Sequence, residues 1–195
     1  SDVVQVVDGK WAHVPDGMRI VELGYDRIIA MGDIDWTDYE AEVEITLNTP
    51  VDPSSNSVGC VIGLATRWTG HFDWFGGQPR VGWNPLGALI NYMWLEDGSF
   101  EGLNYWESEG ELIFPGGPTP PPAVGVPYIY KMRTETLPSG NVQFRFKMWP
   151  SAQVEPNHWS INYTSNNSPT NGSLIVVTHY ADITVGNVTV VPLDD

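Results

Sequence analysis

The sequence predicts an all-β protein built as a two-sheet antiparallel β-sandwich, and three observations carry that expectation. Most segments alternate apolar and polar residues with period two. Turn formers interrupt them at short intervals, with 20 glycines and 16 prolines in 195 residues. No stretch has the spacing of a long amphipathic helix, and no strand–helix–strand order appears. The length suits a single domain over residues 1–195, and 42% hydrophobic content with nine tryptophans excludes a disordered chain.

In chain order, GMRIVEL (17–23) alternates imperfectly, with Met18 and Ile20 on one face and Val21 and Leu23 on the other. DRIIAMG (26–32) follows. YEAEVEITL (39–47) is the cleanest strand: Tyr39, Ala41, Val43, Ile45 and Leu47 face one way and Glu40, Glu42, Glu44 and Thr46 the other. SVGCVIGLATRW (57–68) is continuously apolar and predicts a central strand buried on both sides. GALINYMWL (87–95) and SFEGLNYWE (99–107) flank the Asp-Gly turn EDGS and read as a hairpin. FPGGPTPPPAVGVP (114–127) holds six prolines and three glycines, so it is either an ordered excursion over the surface or a flexible lid. YIYKMRTETL (128–137), PSG and NVQFRFKMWP (141–150) make a second hairpin, and HWSINYTS, GSLIVVTHY and DITVGNVTVVPL complete about eleven or twelve strands.

Asp and Glu number 24 against 9 Lys and Arg, a net charge of −15, which repels phosphate backbones and excludes nucleic acid as a partner. Cys60, within VGCVIGLA, rules out an intramolecular disulfide and reads as a small core residue. No run of eighteen apolar residues exists, so no membrane insertion is expected. The chain starts SDVVQVV without a basic leader and reads as a mature or trimmed domain. Asn162, Asn166, Asn171 and Asn187 begin Asn-x-Ser/Thr triplets, a weak hint of export.

The second half resembles the closing strands of bacterial laminin-G-like domains of the concanavalin A-like jelly-roll superfamily. The matching residues are Lys147, Trp149, Pro150, Glu155, Pro156, Trp159, Gly172 and Ser173, with a last strand at 183–191. The early segment GYDRIIAMGDIDWTDYEAEVEI is similar to the same family's first strands. The resemblance spans nearly the whole chain and implies a jelly roll whose final strand fastens the sheet to the N-terminal part. The superfamily includes carbohydrate-binding modules, adhesion domains, glycosidases and lyases, so the fold alone does not choose among them.

The candidate site is the aromatic segment ATRWTGHFDWFGGQPRVGWNP (65–85), which lies between strands. Trp68, Trp74 and Trp83 offer flat faces for a sugar ring, while Arg67, His71, Gln78 and Arg80 offer hydrogen bonds to hydroxyls. The same composition suits a loop folded onto its own aromatics. Tyr92 and Trp94 share a strand face that either lines a groove beside Trp106 or packs inward.

A lyase alternative needs Arg67, His71 and Tyr92 as neutraliser, base and acid, but the signature strands of jelly-roll lyases are absent. A glycosidase alternative rests on the Glu40, Glu42 and Glu44 row, which lacks the spacing of those enzymes and suits a solvated face. For calcium, the resemblance points to Asp182, with Asp8 and Asp16 as companions; Asp33, Asp35 and Asp38 are a further oxygen-rich run. The four histidines lack the paired spacing of a zinc site. The expected function is a non-catalytic glycan-recognition or adhesion module of a secreted or cell-surface protein, with a polysaccharide or glycan, and neighbouring domains or copies, as partners. A structural subunit of an extracellular assembly is the remaining class.

Overall fold

The structure, a computed structural model, describes residues 4–52, 54, 59–70, 73–74, 78–79, 87–107, 111–114 and 119–193. The front sheet contains β1 (Val4–Asp8), β4 (Arg27–Met31), β15 (Ser173–His179), β6 (Cys60–Trp68), β9 (Ala88–Trp94), β10 (Phe100–Glu107) and β11 (Glu111–Phe114), in that spatial order. The back sheet runs β14 (Ile161–Ser165), β13 (Val142–Pro150), β12 (Pro127–Thr136), β5 (Tyr39–Leu47), β16 (Ile183–Pro192), β3 (Gly17–Ile20), β2 (Trp11–Val14). A short ladder pairs β7 (Asp73–Trp74) with β8 (Gln78–Pro79). The two-sheet antiparallel sandwich expected from alternation is therefore present, with more and shorter strands than the sequence resolves.

Alternation decides which side chains fill the space between the sheets. In β5 the burial pattern follows the sequence residue by residue, with Tyr39, Ala41, Val43, Ile45 and Leu47 inside. Val142, Phe144 and Phe146 of β13, with Tyr130 and Met132 of β12, face the same core, where Tyr130 meets Tyr92 of the front sheet edge-on at 6.1 Å. Cys60 is a buried thiol in this core. The hairpins 87–107 and 127–150 form as expected. β16 inserts between β5 and β3, so the chain's last strand pairs with its beginning. Of the Pro-rich stretch, residues 115–118 lie outside the described residues. Its end is pinned by the Gly125 N–H, which donates to the Leu47 carbonyl at 2.8 Å.

The outer faces of the two sheets differ in character. On the back sheet, Lys131 Nζ lies 3.1 Å from Glu40, 2.7 Å from Glu42 and 2.8 Å from Glu155. Lys147 Nζ also reaches Glu155, at 2.7 Å, donates to the Pro156 carbonyl and sits 4.6 Å above the Trp159 ring. The Lys, Glu-Pro and Trp units that carry the family resemblance thus form one clamp, and Glu40 and Glu42 serve as counter-ions. On the front sheet, Ile28, Ala30, Ala65, Trp68, Leu89, Ile175 and Val177 form a second buried apolar cluster, with Val7 and Trp106 packed on it. β6 is accordingly buried along its whole length, as its apolar run predicts.

Hydrogen bonds from Lys131 and then Lys147 hold the Glu155 carboxyl below the usual carboxylate range. A depressed native pKa adds stability that is complete above the unfolded value, about 4.3, and is lost as pH falls through the native one. Glu155→Gln is therefore expected to lower the urea midpoint at pH 7, with the gap to the parent closing as pH falls below the unfolded value and through the depressed native one.

Candidate functional site

The site begins at an irregularity in β6. Cys60, Ile62 and Leu64 point into the inter-sheet core and Ala65 points outward. Strict alternation would turn Trp68 inward, yet it belongs to the outer cluster. The register explains this: Ile175 of β15 pairs with Ala65 and Ser173 pairs with Trp68, so two steps on β15 oppose three on β6. That is a β-bulge, which changes the parity of the strand beyond it.

Arg67 occupies the bulge in the left-handed region, with φ 57°. This conformation is strained for a non-glycine residue and persists only where its surroundings hold it. The backbone N–H of Arg67 donates to the Tyr39 hydroxyl at 2.9 Å, and that hydroxyl donates to the Gly172 carbonyl. Gly172 itself is at φ 145°, and a Cβ there would lie 2.3 Å from the Arg67 carbonyl carbon, so only glycine lets this loop close on the bulge. The side chain of Arg67 is fully buried. Its Nη1 donates to the Pro169 carbonyl at 2.9 Å, and Nη2 donates to Asp38 Oδ1 at 2.5 Å and to Thr136 Oγ1 at 2.8 Å. Burial pulls this guanidinium below its ordinary pKa while Asp38 opposes the shift. Asp38 Oδ1 also accepts from the Thr136 N–H and hydroxyl, both at 2.8 Å.

Trp68, turned outward, forms one wall of a cleft of about 210 Å³ with Gln5, Ala30, Gly32, Ile34, Thr69, Gly70 and Ser173. The residues come from β1, β4, β15 and β6, which are consecutive in the front sheet, and from the segments that follow β4 and β6. Ser173 Oγ donates to the Trp68 carbonyl at 3.2 Å, and Asn171 Nδ2 donates to the Ile34 carbonyl at 2.7 Å. The polar groups available are a primary amide, hydroxyls and backbone. The volume is below the about 300–1,000 Å³ of sites for drug-sized molecules and matches a single small ring.

The other residues singled out in the sequence separate into three groups. His71, Arg80 and Trp83 lie outside the described residues, and Trp74 and Gln78 oppose each other in the β7–β8 ladder. Tyr92 and Trp94 face the inter-sheet core: Tyr92 stacks on Phe100 at 6.0 Å, and Trp94 packs on the same ring at 5.3 Å. Burial raises the Tyr92 phenol well above its ordinary pKa. Arg67 and Tyr92 are thus buried among protein partners, unlike the exposed groups expected from the sequence.

The aspartates named for calcium have other partners. Asp182 receives a forked hydrogen bond from Arg19, Nε at 3.0 Å and Nη2 at 2.6 Å, and a third from Asn48 Nδ2. Asp8 pairs with Arg27 at 2.7 Å, and Asp16 lies exposed in the turn before β3. Among the described residues no three His, Cys, Asp or Glu side chains converge. Two of the three carboxylates are already neutralised by arginine, so this trio does not fit a calcium ion.

Strand order and register define a two-sheet antiparallel jelly-roll sandwich. Solved structures with this arrangement include the Ca2+/Man-bound exoplasmic/lumenal domain of VIP36, with TM-score 0.63 and 10% identity over 98% of this chain and 84% of that one. They also include the legume lectin-like domain from Entamoeba histolytica, with TM-score 0.55 and 8% identity over 98% and 90%. A third is a protein of unknown function with galectin-like fold from Bacillus subtilis, with TM-score 0.57 and 12% identity over 96% and 88%. Neither a protein-family model nor a curated protein sequence matches the chain. At these identities the likeness is one of fold.

Arg67→Lys retains the charge and loses the planar fork, leaving buried acceptors without donors. It is expected to cost about 1–3 kcal/mol in urea unfolding.

Proposed function

We propose that this chain is a non-catalytic glycan-recognition or adhesion module, laminin-G-like in type, forming a single domain of a secreted or cell-surface protein. The observation that carries the reading is the Trp68 cleft, in which a tryptophan only 8% exposed lies beside neutral hydroxyl and amide groups in a jelly-roll sandwich. Sugar rings present an apolar CH face that stacks on an aromatic plane and hydroxyls that hydrogen-bond at its rim. Trp68 supplies the plane, and Gln5, Thr69 and Ser173 supply the rim. His71, Trp74, Gln78, Arg80 and Trp83, from the segment that follows, are proposed ligand contacts on their chemistry alone. A one-ring site binds weakly, and neighbouring domains or copies raise affinity through avidity.

The bound sugars of the VIP36 forms support the ligand class. Those forms also hold Ca2+; a structural calcium here would draw ligands beyond Asp8, Asp16 and Asp182. The test is a glycan array with and without EDTA, followed by titration of each hit against the Gln5→Ala/Thr69→Val double variant. Binding is expected, with about tenfold loss in the variant at an unchanged urea midpoint. Full affinity in the variant would move the site away from the cleft. No binding to any glycan would favour a structural subunit instead.

A further inference from the structure

The cations of this protein are accounted for nearly completely. Of nine Lys and Arg residues, eight lie in the described part, and each is held by a carboxylate. Lys10 pairs with Glu22, Arg19 with Asp182, Arg27 with Asp8 and Arg67 with Asp38. Lys131 and Lys147 share Glu155, and Arg133 and Arg145 share Glu135. The ninth, Arg80, lies outside the described residues. Arg67, though next to Trp68 in sequence, directs its guanidinium to Asp38 and away from the cleft.

Among the described residues the cleft has no charged side chain in its lining, and its Ile34 wall is flanked in sequence by the exposed Asp33 and Asp35. A carboxylate or sulfate entering it would lose hydration without gaining a counter-ion, inside the field of a chain with net charge −15. A hydroxylated ring without charge meets neither cost. We infer that the ligand of the Trp68 cleft is a neutral saccharide and that uronic-acid and sulfated glycans are rejected electrostatically. This rests on the glycan-recognition reading and narrows it.

The experiment compares neutral probes, namely oligosaccharides of mannan, β-glucan and galactan, with acidic ones, namely polygalacturonate, hyaluronate and heparin, at 20 and 500 mM NaCl. The neutral probe that binds tightest is expected to exceed every acidic probe by at least about tenfold at low salt. Neutral affinity is expected to be insensitive to salt, and residual acidic binding to strengthen as salt screens the repulsion over a Debye length of about 8 Å or less. An acidic probe that binds tightest and weakens with salt would overturn the inference and leave glycan recognition standing. Failure of both probe classes to bind would overturn the glycan reading and the inference together.

Discussion

A guanidinium with no exposed surface must be both neutralised and hydrogen-bonded, and the arrangement around Arg67 follows from that requirement. Its fork gathers Asp38 from the loop before β5, Thr136 from the end of β12 and Pro169 from the loop before β15. Tyr39 completes the set by accepting from the Arg67 backbone and donating to Gly172. Three segments remote in sequence, 38–39, 136 and 169–172, meet at one residue whose own backbone is strained. Buried ion pairs contribute little net stability, because desolvation offsets most of the attraction. What the pair contributes here is position: it holds the bulge in β6 and closes the loop at 165–172 over it.

The bulge divides the labour between the two sheets. Before it, β6 is an ordinary central strand. Beyond it, Trp68 turns to the outer face and becomes the wall of the cleft. The back sheet shows the opposite solution, an outer face of Lys131, Lys147 and their glutamates that binds charge to charge. Together the two faces explain how a strongly acidic protein presents an uncharged recess: its cations are held in structural pairs.

Much of the fold was legible because one-sided burial leaves a period-two signature. β5 and the 127–150 hairpin show it directly, and the apolar run of β6 reports burial on both faces. The site was less legible for three physical reasons. A bulge changes parity without changing composition, so the orientation of Trp68 was hidden. In β9, Leu89 and Ile90 are both apolar and face opposite ways, so the pattern paired Tyr92 with Trp94 but gave no direction for them. Gln5, Gly32, Ile34 and Ser173 reach the cleft only through the strand order β1, β4, β15, β6, which is long-range pairing that a local pattern does not carry. The aspartates assigned to calcium illustrate the same point, since Arg19 and Asp182 are 163 positions apart.

The account stands on the coupling between Arg67 and Asp38, and a double-mutant cycle with Arg67→Met and Asp38→Asn measures it directly by urea unfolding. Each single variant leaves the other group buried or half-buried without its partner, so the two losses should overlap strongly. A coupling energy of about 2 kcal/mol is the expected result. Additive losses, with coupling below about 0.5 kcal/mol, would mean that the bulge is held by something else and would contradict the account.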